Sequence, residues 1–99
     1  MNTRVIVEPR VKAFLESLAP EPPRKLWKAI KEIAHDKGDS KQLEGKLAGY
    51  WRLRVDRMRV VYEQRSLRGE RQLVCMFADH RATVYSVMEQ LITSGPGGN

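Results

Sequence analysis

Residues 50–63 read YWRLRVDRMRVVYE. Trp51, Leu53 and Val55 alternate with Arg52, Arg54 and Asp56, and Met58, Val60 and Tyr62 alternate with Arg59 and Val61, which is the period of half-buried strands. A two-residue turn at Asp56–Arg57 pairs Val55 with Met58, Arg54 with Arg59, Leu53 with Val60, Arg52 with Val61, and Trp51 with Tyr62. One face of the hairpin then carries Trp51, Leu53, Val55, Met58, Val60 and Tyr62, a core. The other carries Arg52, Arg54, Arg59 and Val61. A slip of one residue would bury the arginines, so the pairing is well specified.

Outward from this hairpin, the N-terminal side begins with RVIVE at 4–8, rich in β-branched residues and ended by Pro9, which suits a strand. Val11, Phe14, Leu15 and Leu18 then follow the spacing of one apolar helix stripe. APEPP at 19–23 interrupts that helix. A second helix is predicted from Pro23 to about Lys37, with Leu26, Ala29, Ile30, Ile33 and Ala34 inward and Gly38 as its stop. Residues 38–49 read as a polar connection. On the C-terminal side, Met58–Gln64 is a strand, Ser66–Arg71 a polar turn, and Leu73–Ala78 (LVCMFA) a strand covered on both faces. Val84, Val87, Met88 and Leu91 predict a closing helix, and SGPGGN at 94–99 is expected to be disordered. The fold class is α+β in the order β-α-α-β-β-β-α. An antiparallel central sheet packs against an N-terminal helix pair, in a single domain over residues 1–93.

The 99 residues include 18 Lys and Arg against 12 Asp and Glu, a net charge of +6, which favours polyanionic partners. With Cys75 as the one cysteine there is no intramolecular disulfide, and its apolar setting predicts an inert thiol. Cys75, His35 and His80 have no zinc-ligand spacing, so no metal or cofactor is expected. The apolar runs are too short to cross a membrane and the N-terminus lacks a signal-peptide core, which points to the cytoplasm.

Arg54 opposite Arg59, with Arg52 beside them, gathers like charge within about 7–8 Å, an arrangement that folding alone does not reward. A bound phosphate would relieve it, since guanidinium groups suit bidentate phosphate contacts. The alternative is a solvated face whose arginines pair with Glu63 and other carboxylates. After the apolar strand comes ADHRATVYSV (78–87), where His80, Arg81 and Tyr85 could join the arginines as proton carriers and cations.

On these residues the sequence resembles the RelE/ParE superfamily of bacterial toxin–antitoxin systems. The matching text is LEGKLAGYWRLRV, then MRVVYE, then HRATVY, and the likeness in element order runs over about residues 4–92. The resemblance implies a RelE-like, ribosome-dependent messenger-RNA endonuclease that needs no metal. It implies Arg59, Arg81 and Tyr85 as catalytic candidates and Arg52 and Arg54 as RNA-binding residues. His80 is kept beside them as a reserve catalytic proton carrier, and Arg57, in the same arginine run, as a further RNA contact. Either Tyr85 or His80 would carry the proton. An acidic antitoxin forming a hetero-oligomer with the chain, and message in the ribosomal A site, are the implied partners. The ParE-like branch, which inhibits DNA gyrase, and a non-catalytic nucleic-acid- or antitoxin-binding relative are the alternatives.

Overall fold

The computed structural model describes residues 3–18, 21–81 and 83–93. Its elements are β1 (Thr3–Val7), α1 (Pro9–Ser17), α2 (Glu21–Glu32), a 3-10 turn (Ile33–His35), β2 (Asp39–Gln42), a second 3-10 turn (Gly45–Leu47), β3 (Trp51–Val55), β4 (Met58–Leu67), β5 (Glu70–His80) and α3 (Val84–Thr93). The strands form one five-stranded sheet in the order β1-β5-β4-β3-β2. The predicted α+β class and the order of its major elements are observed. The expected tail at 94–99 and the first two residues of the expected break at 19–23 lie outside the described residues. The rest of that break is already helical, because α2 starts at Glu21 with its prolines in the first turn.

The register of β3 against β4 is the predicted one at every pair, from Val55–Met58 to Trp51–Tyr62. Leu53, Val55, Val60 and Tyr62 consequently face α1 and α2, where they join Val11, Leu15, Leu26, Ile30 and Ile33 in the main core. The helix side of that core follows from spacing. Val11 and Leu15 lie one turn apart on α1, and Leu26, Ile30 and Ile33 continue one stripe along α2 and its 3-10 extension. Trp51 stacks on Tyr62 at 6.2 Å between ring centroids, so it belongs to this core.

Four features differ from the sequence-based expectation. The sheet is mixed, because β1 runs parallel to β5 on the far edge. The connection at 38–49 contains β2, a four-residue edge strand of sequence DSKQ, whose polar residues carry no apolar alternation to reveal it. α2 ends at Glu32 and its 3-10 extension at His35, because Asp36 takes the left-handed conformation (φ 56°) that was expected of Gly38. Finally, β4 and β5 are longer than predicted, and their turn shrinks to Arg68–Gly69, both with positive φ (54° and 78°) as a two-residue type I′ hairpin requires.

The apolar run Leu73–Ala78 is explained by a bulge. Val61 pairs with Phe77 and Tyr62 with Cys75, leaving Met76 as the extra residue. Cys75 and Ala78, which a regular strand would send to opposite faces, therefore both reach the helix-side core. Phe77 reaches the other face, where Leu47, Val61, Val84 and Met88 form a smaller core beneath α3. This second core anchors the closing helix to the face that carries the arginines.

Leu53 has no exposure and its Cδ1 sits 3.3 Å from where a Cβ on Gly38 would be. Leu53→Ala should therefore destabilise the protein by about 2–5 kcal/mol, as buried Leu truncations do. Leu67→Ala, at a 56% exposed position, should stay within about 0.5 kcal/mol. Denaturant midpoints of both variants check the register directly.

Candidate nucleic-acid interface

The face opposite the main core carries a row of charge that crosses the sheet. Asp39 on β2 pairs with Arg54 on β3, Arg54 with Arg59 on β4, and Arg59 with Asp79 on β5. The order is negative, positive, positive, negative. In the next row on the same face, Lys41, Arg52, Val61 and Phe77 align. The predicted arginine face is thus real, and it comes with two carboxylates and a lysine that sequence reasoning did not place there.

The arginines do not converge on one point. Arg52 donates from Nη1 to Asp39 Oδ1 at 3.3 Å, and more weakly to the Asp39 carbonyl at 3.4 Å. Arg54 approaches the other oxygen of the same carboxylate, Nε to Oδ2 at 4.0 Å. Arg59 turns the opposite way. It is 5% exposed and donates from Nη1 to the carbonyls of Asp56 and Met58, each at 2.9 Å, so it fastens the β3–β4 turn. The expected repulsion between Arg54 and Arg59 is relieved by this divergence, and the expectation of three guanidiniums gathered in one open patch is corrected. Glu63, the carboxylate considered from sequence, pairs instead with Arg65.

Tyr85 is half-buried on α3 and packs against the second core, which contains Val61, so it shares the face of Arg52, Arg54 and Arg59. His80 does not. It pairs with Met58 across the β4–β5 ladder, and its ring meets Phe14 of α1 edge-on at 5.9 Å, on the helix side of the sheet. The expectation that His80 and Tyr85 could serve one site is corrected by strand alternation: Asp79 takes the arginine face and His80 the reverse. Asp79 accepts the His80 N–H at 2.7 Å. Arg81, exposed, donates its backbone N–H to the Arg57 carbonyl at 2.8 Å, which holds both residues at the hairpin end of the sheet. Arg57 itself borders a separate cleft on the helix side rather than the charge row.

That cleft, of about 640 Å³, lies between α2 and the β3–β4 turn. Leu26, Val55 and Met58 contribute its apolar lining and Arg24, Lys28 and Arg57 its cationic rim. The ion pair of Lys25 Nζ with Asp56 Oδ2, at 2.7 Å, joins its two walls. Nothing in the sequence pattern alone places Lys25 and Lys28 beside the β3–β4 turn. The one available signal was their approach to the turn, which the strand register implies only once α2 is packed on β3.

Two titratable groups are displaced by burial. Cys75, with no exposure, has its thiol pushed from an ordinary value of 9.0 up to about 12. Tyr62 is also raised, first by burial. The Ser40 side chain opposes this, although Ser40 Oγ makes no hydrogen bond of good geometry, so burial dominates. Neither group is suited to nucleophilic work. Among the described residues, no three His, Cys, Asp or Glu side chains gather as metal ligands, and no helix is long and apolar enough to cross a membrane.

Arg59→Ala would leave two turn carbonyls without their charged donor, so it should cost about 1.5–3 kcal/mol in urea unfolding, and Arg54→Ala much less. Cys75 gives a second expectation. The unfolded thiol ionises near 9.0 and the folded one near 12, so the folded state holds the proton longer. Its contribution to stability is intact below 9.0 and is lost as pH rises from there towards 12. Unfolding curves of wild type and Cys75→Ala across that range should diverge in slope, and native Cys75 should resist a disulfide reagent until the chain unfolds.

No protein-family model matches the sequence, and no curated protein matches it. Solved structures do. A YoeB/ParE toxin from Agrobacterium tumefaciens superposes with a TM-score of 0.60 at 19% identity, covering 78% of this chain and 97% of that one. A chain of the toxin–antitoxin complex RelBE2 from Mycobacterium tuberculosis superposes with a TM-score of 0.55 at 26% identity, covering 82% of this chain and 100% of that one. Taken with the strand order and the helix pair, these likenesses give the chain the fold of the RelE/ParE toxin superfamily.

Proposed function

We propose that the protein is the toxin of a type II toxin–antitoxin system and that it cleaves messenger RNA in the ribosomal A site, in the cytoplasm, without a metal. The observation that carries this reading is the shared sheet face of Arg52, Arg54, Arg59 and Tyr85. In the reaction the 2′-oxygen bonds to the adjacent phosphorus and the bond to the 5′-oxygen breaks. A 2′,3′-cyclic phosphate and a 5′-hydroxyl remain. The 2′-hydroxyl gives up one proton and the leaving oxygen gains one.

Arg52 and Arg54 bind the RNA backbone, and Arg54, the more exposed, is the first to meet the scissile phosphate. Arg59 acts from a fixed position. A guanidinium already oriented by two carbonyls supplies positive charge behind Arg54 without reorganising during the reaction. Tyr85 is assigned the 2′-hydroxyl proton, because His80 lies across the sheet. Arg81 holds flanking backbone from the end of β5. One proton carrier on the face is too few for a free-standing nuclease, so the ribosome is assigned the alignment of the message and the remaining proton transfer.

The partner is an acidic antitoxin that forms a hetero-oligomer with the toxin. An amphipathic segment with acidic flanks suits the cleft between α2 and the β3–β4 turn, with its apolar lining and its rim of Arg24, Lys28 and Arg57. Inhibition of DNA gyrase is the second reading. It is favoured by the diversion of Arg59 into the turn and by the YoeB/ParE likeness.

The test is message-end mapping with purified ribosomes. Wild type should cut messages on ribosomes and leave naked RNA largely intact. Tyr85→Phe should slow cutting by about 10²–10⁴, and Arg54→Ala by about 10²–10³. Full cutting by both variants would refute the site. Intact messages together with loss of supercoiling by purified gyrase would select the second reading.

A further inference from the structure

We infer that Asp39 is a built-in competitor for the RNA backbone, occupying Arg52 and Arg54 in the way a phosphodiester would. The inference rests on the reading of those two arginines as RNA contacts. A phosphodiester offers two non-bridging oxygens that share one negative charge. The Asp39 carboxylate presents the same two-oxygen, single-charge group, with Oδ1 3.3 Å from Arg52 Nη1 and Oδ2 4.0 Å from Arg54 Nε. One side chain thereby partly neutralises both arginines that β3 presents on the face.

Beyond easing the Arg54–Arg59 juxtaposition, folding gains little from this contact. The Asp39 side chain is 57% exposed and Arg54 55%, and ion pairs this open add little to stability. Asp39 opens β2, a four-residue strand at the sheet edge, so its carboxylate can swing aside without breaking the core. Arg52 is the better covered partner, its side chain only 17% exposed, and it also leans on the Asp39 carbonyl. It therefore stays in place when the carboxylate leaves. Lys41, two residues along the same strand face and opposite Arg52, continues the cationic track once Asp39 is displaced. RNA must thus exchange with an internal anion before it gains both guanidiniums, and the face discriminates against weak or transient polyanions.

The experiment measures binding of a short single-stranded uridylate oligomer to the full chain over a range of salt concentrations. Asp39→Asn keeps size and shape while removing the charge. It should tighten binding about fivefold, the effect of one ion pair at roughly 4 Å in a water-like medium. The dependence of log affinity on log salt should steepen by about 0.7, as one more phosphate contact requires on a single strand. Asp39→Ser should give the same gain and Asp39→Glu none. In an Arg52→Ala/Arg54→Ala background the gain should vanish.

Unchanged or weaker binding by Asp39→Asn, or an equal gain without the two arginines, overturns the inference. So does an absence of RNA binding in every variant. An equal gain for polyglutamate of matched charge overturns the assignment to a phosphodiester. Ribosomal cleavage is scored separately. Tighter binding in Asp39→Asn without cutting by any variant defeats the nuclease reading and leaves the role of Asp39 standing.

Discussion

Everything on this molecule's arginine face depends on the register of β3 against β4. Strand side chains alternate strictly, so the pairing of Leu53 with Val60 that fills the helix-side core also dictates that Arg54 stands opposite Arg59 on the reverse face. The two outcomes cannot be separated. A one-residue shift would part the arginines, expose the fully buried side chains of Leu53 or Val60, and bury charge among Leu26 and Ile30. A packed core thus maintains an electrostatically unfavourable juxtaposition that the charges themselves would not choose.

How the sheet tolerates that juxtaposition is instructive. Carboxylates stand at both ends of the charge row, Asp39 on one side and Asp79 on the other. Each central arginine also leaves its neighbour, Arg54 towards Asp39 and Arg59 into the turn carbonyls. The site is therefore built from two kinds of guanidinium. Arg59 is withdrawn, oriented and structural as well as cationic; Arg54 is exposed, with its guanidinium open to solvent. Loss of activity on removing Arg59 would report the turn as much as the chemistry, whereas Arg54 and Tyr85 can be changed with less harm to the fold.

The arginine face, the main core and the β3–β4 turn were all legible in residues 50–63, because alternation over a hairpin encodes both faces at once. What escaped the sequence did so for physical reasons. β2 is polar on both sides, so Asp39–Gln42 reads as loop until β3 offers it hydrogen bonds. The bulge at Met76 inverts the facing of β5, and nothing in LVCMFA marks where alternation breaks. The position of His80 follows from strand continuation through Asp79, whereas the sequence grouped it with Tyr85 simply because both follow the apolar run. Burial of Arg59 was hidden as well, since a guanidinium reveals which carbonyls it will meet only when the turn has closed.

Under the proposed reading, the two faces of the hairpin end also divide the work of recognition. On the helix side, the cleft between α2 and the turn is apolar within and cationic at its rim, chemistry suited to a folded or folding peptide that buries hydrophobic side chains. On the reverse side, Lys41 and Arg52 in one row and Arg54 in the next set three cations beside partly exposed Tyr85, chemistry that under the proposed reading suits a sugar–phosphate chain. The β3–β4 turn joins them. Arg59 binds the carbonyl of Asp56 from the arginine face, while the Asp56 carboxylate holds Lys25 across the cleft. A partner that entered the cleft and drew Lys25 away from Asp56 would therefore act on the same residue whose carbonyl anchors Arg59. Under the proposed reading, that shared residue would link the cleft to the arginine face.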